Sequence, residues 1–169
     1  MREDFLYFAF GSNLHTPQMA ERCPGSEPLH SAHLDGHRLA FCGHSPRWGG
    51  GVATVVDDSA ATVPGLVYRM TADDIEKLDV FENYPEIYRR EDIALKTQDG
   101  SSLAAFTYRR NIVEPSAPSL KYFHQIWSAY RSLGLEQRGL WEAVETSLGN
   151  GKPGPGGSEQ DLIPTTSPR

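Results

Sequence analysis

Only two cysteines, Cys23 and Cys42, occur in 169 residues. They are too few and too unpatterned for a disulfide framework or a zinc site, and they fit a reducing compartment. There is no run of lysine or arginine, and the net charge is −6. That balance argues against nucleic acid and against an anionic membrane as partners, and leaves small-molecule chemistry as the natural destination. No stretch approaches the ~18 consecutive apolar residues of a membrane span, and Met-Arg-Glu-Asp leading into a strand is not a signal peptide, so a cytoplasmic protein is expected. No internal repeat is present, and no phosphate loop: Gly49-Gly50-Gly51 has no lysine, and Gly149-Asn150-Gly151-Lys152 runs into Pro153 rather than a helix. The length suits one domain with a hydrophobic core of ordinary size.

What the chain does have is an apolar, aromatic run at its start that ends abruptly in Gly11-Ser12-Asn13. Phe5 to Ala9, followed by Phe10, lacks alternation and so predicts a strand covered on both faces. Gly11 lets another group approach the main chain, and Ser12 and Asn13 carry short polar side chains that bond locally. Two readings stand. The segment is an ordinary strand-to-helix turn, or its outward N–H groups form a nest for a carboxylate or a developing oxyanion.

The remaining elements follow from periodicity and punctuation. A short helix is expected with Thr16 as cap and Pro17 in its first turn, stopped by Cys23-Pro24-Gly25. Residues 32–41 read as a strand broken or bulged at Gly36, followed by a polar loop through Trp48. Residues 52–56 and 62–70 read as two strands joined by a turn at Asp57-Asp58-Ser59, giving a barrel-like sheet. A helix is expected from Thr71 to about Asn83, opened by a capping box of Thr71 and Asp74. Residues 88–96 and 103–108 form a hairpin around Asp99-Gly100. A helix over 119–133, capped by Ser119 and stopped by Gly134, places Leu120, Phe123, Ile126, Trp127 and Tyr130 inward. A last helix over 136–148 does the same with Leu140, Trp141, Val144 and Leu148. From Gly149 onward Gly, Pro, Ser and Thr dominate, so a domain of residues 1–148 and a disordered tail of 149–169 are expected.

Several constellations can be weighed for chemistry. A Ser-His-Asp site built on Ser12 lacks the second glycine of the Gly-x-Ser-x-Gly elbow. His30, His33 and His37 have helical spacing in a segment that reads as strand, which favours solvated side chains over a metal site. Glu82 is more informative. On the helix carrying Leu78 and Phe81 it falls at the edge of the apolar stripe, where desolvation raises a carboxyl pKa toward neutrality and lets one group take and return a proton. A boundary glutamate that simply reaches water is the alternative. Asp73, Asp74, Glu76 and Asp79 read as a solvated face.

In order along the chain, Tyr7-Phe8-Ala9-Phe10-Gly11-Ser12-Asn13-Leu14, Gly50-Gly51-Val52-Ala53-Thr54, Val63-Pro64-Gly65-Leu66-Val67-Tyr68 and Leu78-Asp79-Val80-Phe81-Glu82 followed by Tyr88 resemble the γ-glutamylcyclotransferase family. The resemblance spans about residues 5–148. It implies an α+β fold, a small mixed β-barrel with flanking α-helices, and an enzyme that cleaves a γ-glutamyl compound to 5-oxoproline and a free amine, as in glutathione metabolism. On that analogy Tyr7, Phe8, Ala9, Phe10, Gly11, Ser12 and Asn13 bind substrate, Glu82 matches the catalytic glutamate, and Tyr122 matches a tyrosine that contacts substrate. Where the family usually has Tyr-Gly-Ser-Asn, Phe10 replaces the tyrosine and removes its hydroxyl. The residues between Glu82 and Tyr88 also differ from the glutathione-metabolism members.

The implied partner is a small γ-glutamyl substrate, an amino acid or peptide derivative, and no metal or organic cofactor is required. Two alternatives keep the fold: cyclotransfer from a γ-glutamylamine or a biosynthetic γ-glutamyl-tagged intermediate, and a non-catalytic module that binds a small acidic metabolite. Trp48 and Trp127 each suit a homodimer contact, a pocket wall or core.

Overall fold

A computed structural model describes residues 4–149. Its first strand, β1 (Phe5–Ala9), lies where the aromatic run predicts it, with Tyr7, Phe8 and Ala9 buried. Both of its edges are used. It pairs antiparallel with β3 (Gly50–Met70) from Phe5↔Met70 to Ala9↔Leu66, and parallel with β5 (Ser102–Arg110) at Tyr7↔Phe106. Because that parallel contact closes the sheet, the architecture is a closed five-stranded mixed barrel in the order β1-β3-β2-β4-β5. Such closure leaves no long strand edge exposed.

β2 (Glu27–Ser45) and β3 form one long antiparallel ribbon whose turn lies at residues 46–49. The reversal expected at Asp57-Asp58-Ser59 is absent. Asp35 pairs with Thr62 and His37 with Asp57, so residues 58–61 stand opposite the single residue Gly36, whose φ is 73°. The extra residues are absorbed as a bulge, because the register resumes on both sides and holds the chain in one direction. β4 (Tyr88–Lys96) and β5 form the expected hairpin, in register from Tyr88↔Arg110 to Lys96↔Ser102 and turning through Gly100 at φ 84°. β2 meets β4 at His33↔Lys96.

Four helices flank the barrel. In α1 (Thr16–Arg22) the cap is His15 rather than Thr16: its Nδ1 accepts from Gln18 N at 3.3 Å, which shifts the helix start one residue earlier. α2 (Ala72–Glu82) opens with the predicted capping box and ends at Asn83, a left-handed residue with φ 48°. α3 (Leu120–Leu133) is capped by Ser119 and stopped by Gly134. α4 (Arg138–Ser147) begins two residues later than expected, without a side-chain cap. The inward stripe of α3 is Tyr122, Ile126, Ala129 and Tyr130; Leu120, about 200° around the helix from Tyr122, is 87% exposed. Trp141 and Leu148 are likewise exposed, while Leu140 and Ala143 face inward. Trp141 packs instead on Phe123 and Trp127, with ring centres 5.0 and 6.3 Å away.

Two residues of the supposedly solvated face of α2 are engaged. Asp74 is buried and accepts from Gly25 N, Thr71 N and Thr71 Oγ1, and Asp79 accepts from the Tyr108 hydroxyl at 2.6 Å. Helical periodicity could not show that the α1–α2 corner and β5 bring donors to these carboxylates. Among the described residues no helix is long and apolar enough to cross a membrane. The tail read as disordered falls, from residue 150 on, outside the described residues.

Candidate functional site

A cavity of about 340 Å³ opens where the turn after β1, the start of β3, the end of α2 and the ribbon tip converge. Its floor depends on small residues. A β-carbon on Gly11 would stand 3.0 Å from Ala53 Cβ and 3.5 Å from the Tyr122 hydroxyl, so glycine here provides close approach; its φ of −120° is open to any residue. A β-carbon on Gly51 would collide with the Ser116 carbonyl, and one on Gly50 would lie 2.8 Å from Ser119 N. The glycine run therefore lets residues 116–119 lie flat on β3 and seats the start of α3. That seating brings Tyr122 to the cavity, where its hydroxyl accepts from Ala53 N at 2.9 Å and its ring packs on Trp48 at 4.9 Å. Tyr88 donates to the Ala53 carbonyl at 3.3 Å from the other side of the same peptide segment.

Asn13 organises the polar centre. Its carboxamide oxygen accepts from Arg22 Nη1 at 2.8 Å and from Gln18 Nε2 at 3.3 Å. Because Arg22 can only donate, the orientation of the amide is fixed, and Nδ2 must point the other way. There it donates to the Tyr7 hydroxyl at 2.9 Å and to Glu82 Oε1 at 3.2 Å. The turn is held from beneath: Tyr68 donates to the Asn13 carbonyl at 2.8 Å, and Gln18 and Gln125 both donate to the Ser12 carbonyl. The N–H groups of Gly11, Ser12 and Asn13 have no acceptor among the described residues, since the turn's own bonds run from Leu14 N to Gly11 O and from His15 N to Ser12 O.

Burial is the main influence on Glu82, pushing its carboxyl up to about 6, against the opposing pull of Arg22, the Asn13 amide, Arg47 and Arg110. A carboxyl so placed exchanges a proton near neutral pH. Burial, and then the neighbouring Glu82 charge, lifts the Tyr7 phenol well above its ordinary value. Tyr7 therefore stays protonated, with its oxygen engaged by Asn13.

Of the residues singled out from sequence, Tyr7, Phe10, Gly11, Ser12, Asn13, Glu82 and Tyr122 all border the cavity. Phe8 and Ala9 do not. They are buried in the barrel wall, where the Phe8 carbonyl accepts from Thr107 Oγ1 at 2.8 Å and both residues press against Gly65. Phe10 offers the cavity only a ring and its main chain. Three arginines given no role from sequence also border it: Arg22 from α1, Arg47 from the ribbon tip and Arg110 from the end of β5. Only Arg110 left a trace in the sequence: the Asp99-Gly100 hairpin sets Arg110 opposite Tyr88.

The same chain can be set beside known proteins. A family model described as gamma-glutamyl cyclotransferase, AIG2-like, matches residues 7–129. The chain is 33% identical to the gamma-glutamylcyclotransferase of Mus musculus over 140 residues, covering 80% of this chain and 74% of the mouse protein. With the gamma-glutamylcyclotransferase of Homo sapiens it shares 30% identity over 157 residues, covering 89% of this chain and 84% of the human one. A solved structure described as gamma-glutamyl cyclotransferase superposes with a TM-score of 0.75 at 28% identity, covering 94% of this chain and 95% of that one. Barrel and sequence thus agree, and the chain belongs to the gamma-glutamyl cyclotransferase, AIG2-like, family of enzymes.

Proposed function

We propose that this chain cyclises γ-glutamyl amino acids or peptides, releasing 5-oxoproline and a free amine, with Glu82 as the single general acid and base. The observation that carries this reading is the half-buried Glu82 carboxyl, raised to about 6, in a cavity shared with the unpartnered N–H groups of the Gly11-Ser12 turn. In a γ-glutamyl compound the nucleophile and the electrophile already belong to one molecule. The protein has to fix the folded rotamer and move a proton.

Glu82 takes a proton from the α-ammonium group, and the freed amine attacks the γ-carbonyl carbon. A C–N bond forms to close the five-membered ring, and the carbonyl electrons move to oxygen. When they return, the original amide C–N bond breaks and Glu82 returns the proton to the departing nitrogen. The ring nitrogen then sheds its second ammonium proton to the released amine, which leaves as an ammonium ion; no water is consumed, and the enzyme is regenerated. The turn's N–H groups hold the glutamyl carboxylate or the transient oxyanion; in comparable sites one donor is worth about 3 kcal/mol. The main chain serves here as well beside Phe10 as beside a tyrosine, which supports catalysis despite that replacement.

Purified protein is expected to release 5-oxoproline over many turnovers from at least one member of a panel of γ-glutamyl amino acids, glutathione and γ-glutamylamines. Stoichiometric binding without turnover would instead support a binding module on the same cavity, the reading that Phe10 motivates. If Glu82→Gln protein retained the wild-type rate, the assignment of Glu82 would be wrong.

A further inference from the structure

The charges bordering the cavity do not balance. Arg22, Arg47 and Arg110 face one carboxylate, Glu82. Arg22 is committed to Asn13 and stands near enough to Glu82 for each charge to favour the other. The other two guanidinium groups share the field of that same carboxylate, but neither forms an ion pair among the described residues.

Their settings differ. Arg47 is exposed on the ribbon tip, 5.2 Å from the centre of the Phe81 ring. Arg110 is built in. Its backbone N–H donates to Thr54 Oγ1 at 3.0 Å, its guanidinium lies 5.4 Å from the centre of the Tyr88 ring, and it occupies the space that a β-carbon on Gly43 would fill. Its Nε is buried without a hydrogen-bond partner. Among the described residues it is the one buried side-chain nitrogen or oxygen without a partner, and such an unmet donor calls for an explanation such as a bound group. Two unpaired guanidinium groups are matched to carboxylates, which they bind through charge-assisted and often bidentate bonds.

The glutamyl half of a γ-glutamyl compound cannot supply this charge, because its ammonium and carboxylate cancel and the turn provides for its carboxylate. The surplus falls to the leaving amine. We infer that Arg47 and Arg110 are specificity-determining residues, and that the cavity selects γ-glutamyl compounds whose leaving amine is an acidic amino acid carrying two carboxylates. An ordinary amino acid would neutralise one of the two arginines, and a simple amine neither. This inference rests on the cyclotransferase reading and narrows its substrate.

The test compares γ-glutamyl-glutamate with the near-isosteric γ-glutamyl-glutamine by kcat/KM for 5-oxoproline release. The wild-type protein should prefer the acidic dipeptide by about tenfold or more, equivalent to about 1.4 kcal/mol. Arg110→Gln and Arg47→Gln should each reduce that ratio several-fold and together bring it near one, while Arg110→Lys, which keeps a cation, should retain most of it. A wild-type ratio near one, or a ratio untouched by both glutamine variants, overturns the inference. If neither dipeptide is turned over, the cyclotransferase reading suffers alone, because calorimetric dissociation constants for the same two dipeptides still decide the preference: a tenfold tighter γ-glutamyl-glutamate supports it and equal affinities refute it.

Discussion

Helix α2 carries two carboxylates at opposite ends, and their fates differ. Asp74, in the first turn, receives three donors, from Gly25 N, Thr71 N and Thr71 Oγ1, at 3.0, 3.1 and 2.7 Å. Glu82, the last residue of the helix, receives one, from Asn13 at 3.2 Å. The helix itself reinforces the contrast, because its N-terminal N–H groups favour an anion and its C-terminal carbonyls disfavour one. A buried carboxylate whose lone pairs are filled serves as a fastener, here tying α1 to α2. One that is partly buried and under-supplied with donors keeps its affinity for a proton.

The largest expected effect on this contrast comes from Glu82→Gln, which should lower 5-oxoproline release by about 10²–10⁴-fold, the usual worth of a general acid or base. Asp74→Ala should do the converse. It leaves three donors without their acceptor and costs about 1–2 kcal/mol of stability in denaturant titrations, with kcat of the folded protein unchanged. If it reduced kcat as Glu82→Gln does, the division between fastener and proton carrier would collapse.

A smaller effect concerns stability at Glu82. The folded chain binds this proton more tightly, at about 6, than the ordinary value of 4.5. Below about 4.5 both folded and unfolded chains are protonated and no penalty exists; as pH rises through 6 the folded chain must ionise a desolvated group and loses about 2 kcal/mol. Glu82→Gln should therefore be more stable than wild type at pH 8, with the difference vanishing near pH 4. The smallest is a shift in the pH profile. With Glu82 as base, kcat/KM should fall as pH drops through about 6, and Asn13→Ala, by removing the donor that holds the carboxylate down, should move that limb upward.

Much of this was legible wherever the signal was local. Thr71 with Asp74, Ser119 with Gly134, and Asp99-Gly100 are short-range devices, and each one bounds its element as expected. Glu82 could be placed at a buried edge because its own helix sets that edge. The failures are equally instructive. Asp57-Asp58-Ser59 looks like a turn, yet the neighbouring strand decides whether a chain reverses or bulges, and β2 holds register on both sides. Asp74, though expected in a capping box with Thr71, looked solvated because a further donor comes from Gly25, 49 positions away in the chain. Phe8 and Ala9, adjacent to the turn, are withheld from the cavity for different reasons: Phe8 points to the opposite face of β1 from Tyr7, and Ala9 presents its carbonyl to Gly65 of the paired strand β3. The cavity's arginines come from a helix, a ribbon tip and a strand end, a convergence that exists only after the barrel closes.

The ribbon formed by β2 and β3 divides the labour of the pocket. Its base is clamped: Cys42 bridges to Pro115, and Ser116 N donates to the Phe41 carbonyl. Its tip, closed by the bond from Gly49 N to Ser45 O at 2.7 Å, presents Arg47 and Trp48 at the cavity mouth. Residues 46–49 therefore behave as an exchangeable cassette. On the proposed reading, grafts of other lengths or charges there are expected to alter which amines the pocket admits, while Glu82 on α2 and the turn after β1, anchored elsewhere, keep their positions.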